Sequence, residues 1–135
     1  MTNPIAVFGL GSMGYGIAQS LLRAGNTTYG FDINPTAMNR FVSEGGAEGT
    51  LSDALPLVDT VVVVVLNAAQ TEQVLFGPSG VVAGLKPGSV IIACATVPPE
   101  FAKDMENRCL DEGVHYLDAP ISGGSLKAGS GQLTI

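Results

Sequence analysis

The chain has 135 residues, of which 46% are hydrophobic and 13% are charged, and its formal net charge is -6 at pH 7. This length suits one domain with a buried core, and the apolar content argues against an intrinsically disordered chain. The negative charge, with no cluster of basic residues to offset it, argues against a nucleic-acid-binding surface.

Strand-like and helix-like patterns alternate along the chain. Apolar runs predict β-strands at residues 5–10, 27–32, 60–66, 89–95 and 114–119. Helices are predicted at residues 12–24, from Asn34-Pro35 to Gly45-Gly46, and at 72–76 and 99–112. The remaining predictions are a short strand near Ala47 and Glu48, a small capped segment beginning at Ser52, a loop over residues 123–131 and the beginning of a strand at 132–135. The alternation predicts an α/β fold, specifically a Rossmann-type doubly wound, mostly parallel sheet with helices on both faces.

A glycine-rich turn, Gly9-Leu10-Gly11-Ser12-Met13-Gly14, joins the first predicted strand to the first predicted helix. Gly9 permits the tight turn, Gly11 lets the backbone approach a pyrophosphate, and Gly14 lets the helix pack closely on the strand. The N–H groups at the start of such a helix attract phosphate. Between a strand and a helix, this pattern predicts a dinucleotide-binding βαβ unit rather than an ordinary turn.

Asp32 closes the second predicted strand, where a carboxylate can accept hydrogen bonds from an adenosine ribose. A 2′-phosphate about 4 Å from it would be repelled by about 4 kcal/mol at an effective dielectric constant of about 20. After a discount for solvent, the expected preference is roughly one or two orders of magnitude. Ile33, Asn34 and Pro35 follow, and none of them is an arginine that could offset the charge. The predicted cofactor is therefore NAD rather than NADP.

Polar or glycine-rich positions follow each of the five long predicted strands. They are the glycine turn, Asp32, Asn67, Thr96 and Ser122-Gly123-Gly124. Ligands of open parallel sheets bind beyond the carboxyl ends of the strands. We therefore expect these five segments to meet at one edge of the sheet.

Other reactive residues have simpler interpretations. Cys94 and Cys109 are expected to be small buried residues rather than a disulfide, and His115 an exposed turn residue. Asp118 is expected to order its loop. The residues predict no metal site. The longest apolar run, residues 61–66, is too short to cross a membrane, and no secretory signal is recognised, so a cytoplasmic location is expected.

Three segments resemble the β-hydroxyacid dehydrogenase family. They are Gly-Leu-Gly-Ser-Met-Gly (9–14), Phe-Asp-Ile-Asn-Pro (31–35) and Asp-Ala-Pro-Ile-Ser-Gly-Gly (118–124). The resemblance covers the whole chain, and the last segment is its most specific motif. It implies hydride transfer between NAD and a β-hydroxy acid. Segments 65–70, 74–77 and 122–128 look most like the L-threonate dehydrogenase branch, although many relatives carry proline where Asn67 stands. That branch implies L-threonate or a similar four-carbon sugar acid, with tartronate semialdehyde and 3-hydroxyisobutyrate as alternatives.

The resemblance also implies roles for individual residues. Leu66, Asn67 and Thr96 would line the ribose and nicotinamide side of the cofactor, and Ser122, Gly123 and Gly124 would hold the substrate carboxylate.

The family's catalytic lysine lies on a helix of an all-helical second domain, which the resemblance places beyond Ile135. We therefore expect residues 1–135 to be the NAD-binding domain alone, inactive by itself and part of a homo-oligomer, with no catalytic residue among them. Lys127 is expected to be a solvated residue or a substrate contact.

A hypothesis of another class is a non-catalytic NAD-sensing domain that regulates a partner. It explains the glycine turn and Asp32 but gives no reason for the segment at residues 118–124.

Overall fold

The computed structural model describes residues 4–135. Within them, the sheet is built from strands of four residues each: β1 (Ile5–Phe8), β2 (Thr28–Phe31), β3 (Thr60–Val63), β4 (Val90–Ala93) and β5 (His115–Asp118). The helices are α1 (Ser12–Arg23), α2 (Pro35–Ser43), α3 (Leu51–Ala54), α4 (Ala68–Phe76), α5 (Pro99–Asp111) and α6 (Gly124–Ser130), with a 3-10 turn at Val82–Gly84.

All strand pairs are parallel, and the strand order is β2-β1-β3-β4-β5. The chain moves from β1 to one side for β2 and then returns to the other side of β1 for β3. This arrangement confirms the predicted doubly wound, Rossmann-type fold. In such sheets the ligand cleft lies at the carboxyl ends of the strands where the order reverses, here between β1 and β3.

The core has a layer on each face of the sheet. On one face, Val61 and Val63 pack with Leu75 of α4 and Met105 of α5, and all four are at most 1% exposed. On the other face, neighbouring strand residues pack under α1 and α2. Because both faces are covered by helices, β3 is an unbroken run of β-branched residues rather than an alternating one.

Side-chain caps fix the starts of three helices. The Asn34 side chain accepts a hydrogen bond from the Thr36 N–H at 3.0 Å, and Pro35 occupies the first turn of α2, as predicted. Thr50, rather than the predicted Ser52, caps α3. Asn67 caps α4 by accepting from the Gln70 N–H at 2.9 Å. This cap starts α4 at Ala68, so the predicted start at residue 72 is wrong.

Three predictions for connecting segments are wrong. No strand forms at Ala47 and Glu48, where one backbone hydrogen bond links the Ala47 N–H to the Thr28 carbonyl at 2.8 Å. The predicted loop at 123–131 contains α6, whose Ala128 is 1% exposed against α1. Residues 132–135 form no strand, only an isolated antiparallel bridge between Thr134 and Ser122. The predicted strands also extend past the observed ones, because apolar residues continue beyond the paired backbone into the ligand edge.

Both cysteines are buried free thiols, as predicted, and burial raises the pKa of Cys94 and of Cys109 to about 11. Within residues 4–135, no helix combines the length and the apolar character that crossing a membrane requires.

Phe41 anchors α2 on α1, since its ring is 0% exposed and meets the Tyr15 ring edge-on with centroids 5.8 Å apart. We expect Phe41→Ala to lower the free energy of unfolding by about 3–5 kcal/mol because it leaves a cavity in the core. Urea denaturation measures the change. The neighbouring, half-buried Val42 provides a control, and Val42→Ala should cost less than about 1.5 kcal/mol. Equal losses in the two variants would contradict the anchoring role.

Candidate nucleotide-binding site

A cavity of about 710 Å³, the main cavity, opens at the carboxyl ends of β1, β3 and β4. Three of the five predicted segments line it, namely the glycine turn, Asp32 and Thr96, and the other two lie next to lining residues, Asn67 beside Leu66 and Ser122 beside Ile121. Its lining includes Gly9, Gly11, Ser12, Met13, Gly14, Asp32, Leu66, Thr96 and Ile121, the residue directly before Ser122. A second cavity of about 440 Å³, the adjoining cavity, shares Asp32, Ile33 and Gln73 with it. The ligand edge predicted from the sequence is therefore present.

Two glycines of the turn are required by backbone contacts alone. A Cβ on Gly14 would lie 1.7 Å from the Gly9 carbonyl oxygen. A Cβ on Gly9, whose φ is +94°, would lie 2.0 Å from the Val64 carbonyl oxygen. Because these neighbours are backbone atoms, they cannot move aside without distorting the sheet. The turn and the start of α1 are thus held at a distance that only glycine allows.

Gly11 is different, because nothing in the protein requires a glycine there. Its backbone is extended, with φ -72°, and a Cβ would meet no atom within 4 Å. No side chain caps α1, and its first intrahelical bond runs from the Tyr15 N–H to the Gly11 carbonyl at 2.9 Å. The N–H groups of Ser12, Met13 and Gly14 therefore have no partner inside the helix. Open space beside unpaired N–H groups at the positive end of a helix fits an anion.

Asp32 is held by two backbone groups. Its Oδ2 accepts from the Leu10 N–H at 2.6 Å, and its Oδ1 accepts from the Asn34 N–H at 3.0 Å. Each carboxylate oxygen keeps a further lone pair. Asp32 therefore presents a negative acceptor in a fixed orientation at the wall that the two cavities share. Leu10 does not line the main cavity; it is buried and contributes through its N–H group.

The other predicted site residues are only partly brought together. Leu66 is 84% exposed and lines the main cavity with Thr96. Asn67 does not line it, since its side chain caps α4. Ser122, Gly123 and Gly124 lie immediately beyond Ile121 and outside the lining. Gly123 and Gly124 have φ values of +137° and +76°, a conformation that favours glycine.

Sequence reasoning missed several lining residues. Ile33 is fully exposed and lines both cavities, and Gln70, Gln73 and Val74 line the main cavity from one face of α4. Their spacing of three and four residues would have indicated this face if the start of α4 had been placed at Asn67. Cys94, predicted only to be buried, also lines the main cavity.

Two residues that could act as acids or bases lie elsewhere. His115 is exposed at the first position of β5, inside a strand rather than in the predicted turn, at the end away from the ligand edge. Lys127 is exposed on α6, with its Cδ 3.1 Å from the position a Gly123 Cβ would take, and it does not line the main cavity. Residues 4–135 contain no cluster of three or more His, Cys, Asp or Glu placed to hold a metal ion.

Ile135, beyond which the resemblance places the catalytic lysine of the family, is not part of the site. Its side chain is 82% exposed and does not line the main cavity. It directly follows Thr134, which pairs with Ser122. The position of a catalytic lysine beyond Ile135 stays a prediction.

A third cavity, of about 350 Å³, lies between α1, α2 and α6. Among its described lining residues, the one cation is Arg40, which pairs with Glu44 at 3.4 Å and lies 4.4 Å over the Tyr15 ring. The Tyr15 hydroxyl donates to Glu44 at 2.8 Å. Burial and this hydrogen bond raise the pKa of Tyr15 to about 12, and the same bond lowers the pKa of Glu44. Because these groups satisfy one another, this cavity offers a weaker anion site than the glycine turn.

The fold and the site define a Rossmann-type nucleotide-binding domain. A family model described as the NAD binding domain of 6-phosphogluconate dehydrogenase matches residues 4–135, and the chain belongs to this family. The predicted fold and the NAD cofactor class are thereby confirmed.

Similar proteins include L-threonate dehydrogenase of Cupriavidus necator, which is 45% identical over 136 residues; the match covers 100% of this chain and 46% of that protein. L-threonate dehydrogenase of Pectobacterium atrosepticum is 45% identical over 133 residues, with coverages of 97% and 44%. The crystal structure of 3-hydroxyisobutyrate dehydrogenase from Salmonella typhimurium has a TM-score of 0.91 and 40% identity, covering 98% of this chain and 46% of that one. These findings confirm the resemblance to hydroxy-acid dehydrogenases, and the chain spans about half the length of these relatives.

Two substitutions in the turn separate binding from stability. Gly11→Ala should change the free energy of unfolding by less than about 0.5 kcal/mol, because its Cβ meets no protein atom. It should weaken NAD binding about tenfold or more by filling the space for the pyrophosphate. Gly14→Ala should instead destabilise the chain by more than about 2 kcal/mol. Urea denaturation and titration calorimetry measure these effects. Native NAD affinity in Gly11→Ala would show that no ligand approaches Gly11.

Proposed function

We propose that the chain binds NAD with the pyrophosphate on the N–H groups at the start of α1 and the adenosine ribose on Asp32. One observation carries this proposal: the uncapped start of α1, the open space at Gly11 and the fixed carboxylate of Asp32 border the same cavity. The site offers hydrogen-bond donors to the anionic pyrophosphate and an acceptor to the ribose hydroxyls.

The two ends of the cofactor would then lie in opposite directions from the turn. The adjoining cavity is walled largely by apolar side chains, among them Ile33, Met38, Leu51 and Val74, which suit a flat adenine ring. Ile33 is fully exposed, and an adenine ring would cover one side of it; complete burial of such a side chain is worth about 1.5–3 kcal/mol, which is the upper bound on its contribution to binding. The nicotinamide would point the other way, toward Thr96 at the end of β4.

The charge of Asp32 should select NAD over NADP. In calorimetry, the native chain should bind NAD roughly tenfold to a hundredfold more tightly than NADP. Asp32→Asn, which keeps the shape and removes the charge, should narrow that gap at least about fivefold. The control is Asp111→Asn, the same change at the far end of α5, which should leave both affinities unchanged. Equal affinities for NAD and NADP in the native chain would contradict the role of Asp32.

The whole protein, on this proposal, is an NAD-dependent dehydrogenase of a β-hydroxy acid. NAD supplies the hydride acceptor when it is bound, and the chain's own residues bind and orient the reactants. Among the described residues that line the main cavity, two are titratable, Asp32 and Cys94. Asp32 is committed to two N–H groups, and burial raises the pKa of Cys94 to about 11. A thiol with a pKa that high is not a proton acceptor matched to neutral pH, and in this proposal Asp32 holds the adenosine ribose rather than the reacting hydroxyl. The base must come from elsewhere, so this chain alone should have negligible turnover.

The proposed substrate is L-threonate or a similar four-carbon sugar acid, with its carboxylate on the Ser122 hydroxyl and the N–H groups of Gly123 and Gly124. The support is the 45% identity to two proteins named L-threonate dehydrogenase. Tartronate semialdehyde and 3-hydroxyisobutyrate are the alternatives, and the second is supported by the 40% identity to the Salmonella typhimurium protein named 3-hydroxyisobutyrate dehydrogenase. Homo-oligomer formation and a cytoplasmic location stay predictions.

At saturating NAD, Ser122→Ala should weaken L-threonate binding about tenfold, since it removes one hydrogen bond to a charged group. NAD affinity should not change. The matched control is Ser125→Ala, at the second residue of α6, which should bind L-threonate with native affinity. Calorimetry distinguishes the possibilities. Identical affinities in the native chain and Ser122→Ala would remove Ser122 from the site, and NAD binding without binding of any hydroxy acid would favour the NAD-sensing hypothesis.

A further inference from the structure

Helix α6 rests on α1 at Gly16, two residues after Gly14, the last glycine of the turn. A Cβ on Gly16 would lie 2.6 Å from the Gly129 backbone nitrogen and 2.9 Å from both the carbonyl carbon and the Cβ of Ala128. Glycine inside a helix costs about 1 kcal/mol relative to alanine. At Gly16 packing explains the glycine, because the backbones of α1 and α6 lie in contact there and leave no room for a Cβ.

Polar side chains of α1 hold the last turn of α6 in this position. The Ser20 hydroxyl donates to the Ala128 carbonyl at 2.8 Å, and the Arg23 guanidinium donates to the Gly129 carbonyl. Carbonyls in the last turn of a helix lack partners farther along the helix. The Ala128 carbonyl also accepts from the Gly131 N–H at 3.3 Å, and the Arg23 guanidinium supplies a donor to the Gly129 carbonyl. Ser20 and Arg23 follow Gly16 along the side of α1 that meets α6.

The loop at residues 122–124, which leads into α6, is also held in place by hydrogen bonds. Ser122 exchanges two backbone hydrogen bonds with Thr134, each 2.9 Å long. The chain turns back between them at Gly131, which has φ +74° after the end of α6. The loop at residues 122–124 is therefore connected directly to α6 and hydrogen-bonded to the returning chain at Thr134. Its position consequently depends on how α6 packs against α1.

We propose that Gly16 is a positioning residue that fixes the Ser122–Gly124 loop relative to the glycine turn by allowing α6 to seat directly on α1. This inference rests on the proposed function, in which the two loops hold the hydroxy acid and the cofactor. Hydride transfer requires the reacting atoms about 3–3.5 Å apart, and an error of about 1 Å can cost a hundredfold in rate. A Cβ at Gly16 must push α6 away by roughly that distance to reach an ordinary van der Waals separation.

Gly16→Ala tests the proposal against a control on the same pair of helices. The control is Gly129→Ala, because a Cβ on Gly129 meets no atom within 4 Å. Three quantities are measured: NAD affinity, L-threonate affinity at saturating NAD, and amide hydrogen exchange of residues 122–130. We expect Gly16→Ala to keep NAD affinity within about threefold, to lose at least about tenfold in L-threonate affinity and to exchange faster in α6. Gly129→Ala should match the native chain in all three.

Ser20→Ala removes the tether to Ala128 without adding volume, so it serves if Gly16→Ala fails to fold. Like Gly16→Ala, it should weaken L-threonate binding and speed amide exchange in α6, but by a smaller factor. Native L-threonate affinity in Gly16→Ala, alongside a loss in Ser122→Ala, would leave the proposed function standing and overturn the positioning role. If the native chain binds no L-threonate, the proposed substrate is wrong, and amide hydrogen exchange then tests the positioning role by itself. Faster exchange of residues 122–130 in Gly16→Ala, but not in Gly129→Ala, would support that role. Unchanged exchange in Gly16→Ala would overturn it.

Discussion

The structure depends on one backbone contact, the approach of α1 at Gly14 to the Gly9 carbonyl at the end of β1. No Cβ fits between these atoms, since it would lie 1.7 Å from the carbonyl oxygen. The contact places the uncapped start of α1 directly over the main cavity. The Leu10 N–H within the same turn donates to Asp32 at 2.6 Å, which ties the turn to the end of β2. Donors for an anion and an acceptor for a sugar are thus positioned by the fold before any ligand binds.

The parts that could be predicted from the sequence are those set by local or repetitive constraints. The sheet was predictable because strands buried on both faces need unbroken apolar runs, and Thr60–Val63 is such a run. The glycine turn was predictable because Gly14 faces a backbone atom within the turn and Gly9 faces one just after the neighbouring strand β3, while Gly11 leaves open space beside the turn. The start of α2 was predictable because Asn34 and Pro35 each favour a helix start on their own.

The parts that could not be predicted depend on contacts between residues distant in sequence, or on a residue type that can play either of two structural roles. Helix α6 is short and rich in glycine and serine, and it forms where Ala128 packs on α1 beside Gly16 and Ser20. Its local composition gives no helix signal. Asn67 could equally contact a ligand or cap a helix, and only the start of α4 at Ala68 identifies the cap. The sequence shows only that Ile33 is not an arginine. Its full exposure beside Asp32 is set by the fold and could not be predicted from the sequence.

The most direct test of the central claim is a crystal structure of the chain grown with saturating NAD. The account requires pyrophosphate oxygens within hydrogen-bond distance of the N–H groups of Ser12 and Met13, with the adenosine ribose hydroxyls on Asp32. A pyrophosphate seated instead in the cavity between α1, α2 and α6, or a glycine turn without ligand in crystals that hold NAD elsewhere, would contradict it.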